Sequence, residues 1–229
     1  MAGRNGKITI QRDGPYVVSG GIPVVRMTIG VDARGESARW ERGAVVATPE
    51  RYALCRCGKS ARKPFCDAAH KRVRWDGTET ASRDPYLAQA RVLEGPALRL
   101  TDAEPLCAFG RFCDARGGVR ALVARSDDPE ARRHAAEEAG LCPAGRLVAW
   151  DAASGQPLEP VLAPEIGVVE DPARGCSGGL AVWGGVEVVG ADGRAYEARN
   201  RVTLCRCGAS RNKPFCDGAH DAARFSDAR

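Results

Sequence analysis

The sequence predicts an α+β fold in which two copies of a small β-rich module flank a different, partly helical domain. Three observations predict it. A cysteine-rich window of 16 residues occurs twice, at a constant offset of 150 residues. Short apolar runs of strand character, broken by Gly and Pro, lead into each window. Between the copies lies an unrelated stretch with a helix start of its own.

The elements follow in chain order. Tyr16-Val17-Val18, Pro23-Val24-Val25, Ala44-Val45-Val46 and Arg51-Tyr52-Ala53-Leu54 read as the strands of the first copy. Leu180-Ala181-Val182-Trp183, Val186-Glu187-Val188-Val189 and Ala195-Tyr196-Glu197-Ala198 read as those of the second, with a turn at Asp192-Gly193. Each set predicts a small antiparallel sheet running into a ligand loop. From Gly21 to Cys55 is 34 residues and from Gly185 to Cys205 is 20, so the first copy carries 14 more, placed in a longer hairpin around Asp32 to Arg42. In the middle, Asp128 is a cap, Pro129 suits the first turn and Glu130 is a capping-box partner, so a helix runs through Ala131 to Ala139 and stops at Gly140. The stretch Ala152 to Pro172, rich in Pro, Gly and Ala, reads as a linker. These boundaries give modules over residues 1–80 and 173–229 and an insert over 98–152.

Composition narrows the function classes. The 229 residues carry 34 basic and 29 acidic side chains, a net charge of +5, with no concentrated basic run or aromatic interleaving of a nucleic-acid surface. No apolar run approaches the roughly 18–20 residues of a membrane span. Met1 to Gly21 lacks the apolar core of a secretory signal, so a cytoplasmic location with reduced thiols is expected. Ten reduced Cys then call for metal or cluster ligation.

The windows read CRCGKSARKPFCDAAH from Cys55 to His70 and CRCGASRNKPFCDGAH from Cys205 to His220, with 12 of 16 positions identical. Each offers three Cys and one His: Cys55, Cys57, Cys66 and His70, then Cys205, Cys207, Cys216 and His220. Gly58 and Gly208 permit the bend that turns both sulfurs of Cys-x-Cys to one side. Asp67 and Asp217 suit helix caps that put His70 and His220 in a first turn, so that the four donors converge on one point. Zinc accepts such a donor set, but its usual spacings pair Cys-x2–4-Cys on two knuckles.

The pattern Cys-x-Cys-x2-Ser-x3-Pro-x-Cys-Asp-Gly-x-His resembles the signature of CDGSH-type (NEET) iron–sulfur proteins. The second window fits throughout, at Cys205, Cys207, Ser210, Pro214, Cys216, Asp217, Gly218 and His220. The first fits at Cys55, Cys57, Ser60, Pro64, Cys66, Asp67 and His70, with Ala68 in the place of Gly. The resemblance implies one [2Fe–2S] cluster per window, held by three Cys and one His. It also implies that two modules pack as a dimer, here within one chain, as a monomeric pseudo-dimer. Three thiolates on a core of charge about +2 leave about −1, against about −2 for four, so the potential should lie above that of plant-type ferredoxins. Lys59, Arg62, Lys63, Lys71 and Arg72, with Arg211 and Lys213, favour the reduced form further. His is a protonatable ligand, so acid should loosen the cluster.

The insert holds Cys107-x5-Cys113 and, 29 residues on, Cys142-Pro143. Bacterial-type ferredoxins use Cys-x2-Cys-x2-Cys with a distant Cys-Pro, and Gly110 stands where the middle Cys would be. The segment is similar to divergent mono-cluster ferredoxin-like domains, which makes the expected insert ferredoxin-like. Three Cys suit a [3Fe–4S] cluster, whereas a [4Fe–4S] cluster needs an outside ligand, for which Cys176 is the spare thiol. The other reading is a degenerate domain with three ordinary core cysteines. His134 reads as an exposed helix residue.

No nucleophile–base pair or phosphate loop accompanies the cysteines, so the expectation is not an enzyme. It is an iron–sulfur protein acting in electron or cluster transfer toward a redox or iron–sulfur acceptor protein, with no nucleic-acid or membrane partner. Two other classes stay open: a structural zinc-binding interaction module, and an electron-feeding subunit of an oxidoreductase.

Overall fold

Among the described residues, twelve short strands and five α-helices follow from the alternation of β-branched runs with Gly and Pro breaks. The computed structural model describes residues 6–227; residues 1–5 and 228–229, the outer ends of the two expected modules, lie outside the described residues. The first module contributes β1 (Lys7–Ile10), β2 (Tyr16–Ser19), β3 (Val24–Val31), β4 (Ser37–Val46) and β5 (Arg51–Leu54), then helix α1 (Ala69–Arg72). A connecting helix α2 (Tyr86–Gln89) leads to β6 (Arg91–Glu94), β7 (Leu98–Asp102), α3 (Val119–Ala124), α4 (Pro129–Leu141) and β8 (Leu147–Asp151) of the insert. The second module contributes β9 (Glu165–Asp171), β10 (Cys176–Trp183), β11 (Glu187–Val189), β12 (Arg201–Leu204) and α5 (Ala219–Ala222).

The two modules exchange strands reciprocally. One sheet runs β11-β1-β2-β5 and the other β12-β10-β9-β3-β4. In each, an antiparallel pair leads to its own window: β2 with β5 (Tyr16 opposite Leu54) and β10 with β12 (Leu180 opposite Leu204). Each sheet is then joined by the other module through a parallel pair, β1 with β11 (Ile8 beside Val188) and β3 with β9 (Val24 beside Ile166). The expected separate antiparallel sheets are therefore two mixed sheets, and the pseudo-dimer lies within one chain. One core fills the space between them, with Ile8, Tyr16, Val18, Leu54, Ile166, Val168, Leu180, Val182 and Leu204 all at or below 1 % exposure. Each large apolar side chain buried there contributes about 1.5–3 kcal/mol, so the shared core outweighs any exposed ion pair, worth about 0–1 kcal/mol.

The extra residues of the first copy form the β3–β4 hairpin as expected, closed by Asp32 N donating to Glu36 O at 2.9 Å, while Asp32 Oδ1 accepts from Arg34 N and Glu36 N. They also clamp the insert. Trp40 packs on Phe112 (4.9 Å between ring centroids) and Trp183 (5.8 Å), and its Nε1 donates to Leu141 O at 3.1 Å. The insert is a three-stranded sheet, β6-β7-β8, covered by α3 and α4 around Leu98, Leu100, Val119, Leu122, Ala135 and Leu147. Its first strand starts at Arg91, upstream of residue 98.

Several expectations need correction. Residues 195–198 form no strand, only a single bridge between Val189 and Ala195, since the exposed Asp192-Gly193 turn leaves room for no longer ladder. The expected linker over Ala152 to Pro172 contains β9, whose Ile166, Val168 and Val169 are buried. Asp128 caps α4 as expected, accepting from Glu130 N at 3.0 Å, but Gly140 does not stop it; the helix reaches Leu141 and Cys142 is its C-cap. His134 is half-buried, its Nε2 2.8 Å from Arg133 Nη2, and takes no part in either window. Among the described residues, no helix is long and apolar enough to cross a membrane.

Candidate metal centres

The chain folds each window into the same loop by the same bonds. β5 ends at Leu54, and a single bridge between Leu54 and Phe65 sets the third Cys beside the first. Cys55 N donates to Pro64 O at 2.8 Å and Cys66 N to Ala53 O at 2.9 Å. Ser60 Oγ donates to Phe65 O at 2.6 Å and accepts from Arg62 N at 3.0 Å, which closes the loop. Asp67 holds its two sides together: Oδ2 accepts from Ala61 N (3.0 Å) and Oδ1 from Ala69 N (2.9 Å). The carboxylate thus takes an N–H at the start of α1 without occupying the cap position itself, which falls to Ala68. The second window repeats this with Ser210 and Asp217. Ala68, at φ 64°, takes the left-handed conformation that Gly218 takes at φ 84°. The replacement costs about 1–2 kcal/mol of backbone strain and keeps the turn.

Each loop presents its donors as two pairs. Cys55 Sγ lies 3.8 Å from Cys57 Sγ, and Cys66 Sγ lies 3.5 Å from His70 Nδ1. The corresponding distances in the second loop are 3.6 Å (Cys205, Cys207) and 3.4 Å (Cys216, His220 Nδ1). Two ligands on one tetrahedral metal, with bonds of about 2.3 Å to sulfur and about 2.0–2.1 Å to nitrogen, sit about 3.8 Å (S,S) or about 3.5 Å (S,N) apart. Each pair therefore matches the length of one edge of a tetrahedral ligand set. Among the described residues, no three His, Cys, Asp or Glu side chains are arranged around a single ion. This corrects the expectation that four donors converge on one point. Each donor set thus divides into a Cys–Cys pair and a Cys–His pair.

Protonation is arranged accordingly. A hydrogen bond from Cys57, with backbone N–H groups of Ser60 and Gly58, pulls the Cys55 thiol down to about 6, while the same contact and burial push Cys57 up. Cys205 is likewise held down to about 7 and Cys207 raised. Burial raises Cys66 and Cys216. Burial, helped by Lys71, lowers His70, and burial lowers His220, which favours the neutral imidazole a metal would need. Ala68 N and Gly218 N donate to the third Cys of each loop at 3.4 and 3.5 Å, and Ala209 N donates to Cys207 at 3.5 Å.

The loops stand back to back. A Cβ on Gly58 would lie 2.3 Å from Cys207 O, and one on Gly208 would lie 2.5 Å from Cys57 O. Trp75 Nε1 donates to Gly208 O at 3.2 Å, and Tyr16 Oη donates to Cys205 O (2.8 Å) and Pro214 O (3.0 Å). The surroundings differ. His70 borders an open cleft with Arg12, Lys71, Arg74, Trp75 and Asp76. Cys216 is instead covered by Ala108 and Ala144 of the insert, with Phe109 over Gly218. Of the basic residues expected to matter, Lys71 bears on both Cys66 and His70. Arg72 pairs with Asp67 at 3.7 Å and Lys213 Nζ is held on Ser210 O at 2.8 Å.

The structure brings Cys107, Cys113 and Cys142 to one cleft, lined also by Gly110, Pro143 and Arg146. Burial and Asp114 push the Cys113 thiol up to about 12, and the neighbouring thiols of Cys142 and Cys107 add to this. A Cβ on Gly110 would lie 2.9 Å from Pro143 Cδ, so Pro143 occupies the room a middle Cys would need. Cys176 is not part of this cleft. It lies at the start of β10, buried, with its Sγ 4.0 Å from Asp221 Oδ1. Three residues that sequence reasoning passed over turn out to matter: Tyr16 and Trp75, which lock the loops together, and Arg201, which ties the second module to the insert. Arg201 donates to the carbonyls of Ala139 (2.6 Å), Gly140 (3.0 Å), Cys142 (2.8 Å) and Leu147 (3.1 Å) and to both oxygens of Glu159. Under the 150-residue offset Arg201 is the equivalent of Arg51.

Comparison with known families bears on the same residues. The family model described as the iron-binding zinc finger of CDGSH type matches two regions, residues 13–71 and 177–221, each ending on a window. No curated protein and no solved structure matches the chain.

Proposed function

Because the chain carries two CDGSH-type iron-binding modules in tandem, we propose that this iron–sulfur protein holds two [2Fe–2S] clusters and carries electrons to a protein acceptor. The observation that carries the reading is the division of each donor set into two pairs, at 3.8 and 3.5 Å in one loop and 3.6 and 3.4 Å in the other. A lone structural zinc would draw four donors to one point. A [2Fe–2S] cluster supplies a one-electron couple at about the potential its ligand charge sets.

The chain's own residues do the rest. Cys55, Cys57, Cys66 and His70 would hold one cluster, and Cys205, Cys207, Cys216 and His220 would hold the other. Backbone N–H groups of Ala68, Ala209 and Gly218 donate to ligand sulfurs and lower the cost of added negative charge. Gly58 and Gly208 let the loops touch, so the two centres communicate over a short backbone gap. The cleft beside His70 is where an acceptor docks. No catalytic reaction is assigned to the protein. It works as a monomer in the cytoplasm, where its ten free cysteines stay reduced. In the insert, Cys107, Cys113 and Cys142 would hold a third cluster of the [3Fe–4S] type, supported by their shared cleft and by the lack of a fourth thiol there.

The cleft at His70 also favours a second reading, donation of a cluster to an apo-protein. The test is to mix the loaded protein with an apo-ferredoxin and, separately, to reduce and reoxidise it. Electron carriage predicts full recovery of the visible absorbance after a redox cycle and none passed to the apo-ferredoxin. Loss of absorbance to the apo-ferredoxin would favour donation.

A further inference from the structure

The residue between the two cysteines of each Cys-x-Cys is a buried arginine, Arg56 in one loop and Arg206 in the other, at 1 % and 2 % exposure. Both lie on aromatic rings at equivalent positions, Arg56 5.1 Å from the Trp75 ring and Arg206 5.2 Å from the Phe225 ring. Their partners differ. Arg206 is fully satisfied: Nε donates to Gly178 O, Nη2 to Val169 O and Glu170 Oε1, and Nη1 to Asp227 Oδ2, a carboxylate that is itself buried. Arg26 also binds Glu170 and Asp227, at 3.0 and 2.8 Å, so this network holds two cations and two anions. Arg56 has one hydrogen bond, from Nη2 to Gly77 O at 2.6 Å, and its Nε and Nη1 have none. Position 77 is the equivalent of position 227 under the 150-residue offset, and the acid is missing there. Asp13 and Asp76 are near, but they are held by Gly77 N and by Thr78, and neither forms an ion pair with Arg56; the Asp76 carboxyl is held down mainly by Thr78, with Lys213 and Arg56 adding to this from beyond ion-pair distance.

A guanidinium keeps its charge at all accessible pH. In a dry interior an unpaired cation is costly unless an anion lies close. Among the described residues no carboxylate forms an ion pair with Arg56, which stands in the chain between the two cysteines Cys55 and Cys57. Reduction adds one negative charge, which an uncompensated cation favours and a neutralised one does not. We propose that the two centres are electrically unequal, with the Cys55–His70 centre the stronger electron acceptor because Arg56 lacks the Asp227–Glu170 counter-charge that Arg206 has. Electrons then pass from the covered centre to the one beside the open cleft. This rests on the presence of a cluster in each loop.

The test is a potentiometric titration of the loaded full-length protein, followed by the electron paramagnetic resonance signal of the reduced centres. Cys66→Ser and Cys216→Ser, each removing one centre, assign the two waves. The expected result is two one-electron waves from the loops, distinct from any wave of the insert, which neither variant removes; the higher of the two is lost in Cys66→Ser. Asp227→Asn should move the lower wave up by at least tenfold in its reduction equilibrium, 59 mV for one electron, and leave the higher wave in place. Coincident waves, or a higher wave lost in Cys216→Ser, overturn the proposal, as does an Asp227→Asn shift in both waves or neither. Should Asp227→Asn fail to fold, the order of the waves in Cys66→Ser and Cys216→Ser decides alone. A protein that loads no cluster overturns the iron–sulfur reading as well, whereas two clusters of equal potential overturn this proposal only.

Discussion

Arg201→Met is the sharpest structural perturbation, because one side chain joins the second module to the insert. Arg201 is 3 % exposed and reaches four backbone carbonyls and a carboxylate. Methionine fills much of the volume but leaves Ala139, Gly140, Cys142 and Leu147 short of a donor and Glu159 without its cation. A buried acceptor left unsatisfied costs about 1–3 kcal/mol. Three of the four belong to the end of α4, where water can replace part of the loss, so the total approaches the about 3–5 kcal/mol typical of a broken buried pair. Urea unfolding of wild type and variant measures it. Arg201→Lys keeps the charge but not the planar fork, and should fall between the two. Because Arg201 also fixes the Cys142 carbonyl, iron bound by the insert should fall while iron in the two windows stays. A loss below about 1 kcal/mol, the range of a surface pair, would refute the reasoning.

Other predictions follow from the loops and the insert. His70→Cys and His220→Cys add a negative ligand, so each should lower the potential of its centre and slow its bleaching at low pH, read by visible absorbance; unchanged acid stability in both removes the role given to His. Gly58→Ala puts a Cβ 2.3 Å from Cys207 O at φ +74° and should weaken metal binding in both loops, whereas Gly35→Ala, at φ +79° in open space, should cost only about 1 kcal/mol and bind metal normally. Burial raises the Glu138 carboxyl from 4.5 to about 7, against the pull of Arg116, so its contribution to stability is full below pH 4.5 and is lost as the pH rises through about 7. Glu138→Gln should therefore unfold at higher urea than wild type at pH 8, by about 2–3 kcal/mol, and show little difference at pH 5. An equal difference at both pH values would mean that burial of the charge is not the cause.

The ligands were legible because each window fixes its loop locally. Ser60, Asp67 and the Leu54–Phe65 bridge all act within the 16 residues that the repeat displays. What the sequence hid was non-local. Besides their local antiparallel partners, β1 and β9 each pair in parallel with a strand of the opposite module, more than a hundred residues away, and no local turn announces that half of their pairing. β9 was hidden further by the Pro and Gly around Ile166 and Val168, which read as linker although both are fully buried. Gly140 failed as a helix stop because Arg201 and the Trp40 indole hold the end of α4 from outside. The inequality of Arg56 and Arg206 was in principle visible, since the offset aligns Gly77 with Asp227. Only the structure shows that both arginines are buried and that one lacks a counter-charge.

The claim at the centre of the account is that each Cys3His loop holds two irons bridged by sulfide. Iron, acid-labile sulfide and zinc measured together with the visible spectrum of anaerobically purified protein test it directly. The expected result is a coloured protein with about 4 iron and about 4 sulfide in the two windows, rising to about 7 iron if the insert adds a [3Fe–4S] cluster. A colourless protein with two zinc ions and no sulfide would contradict it.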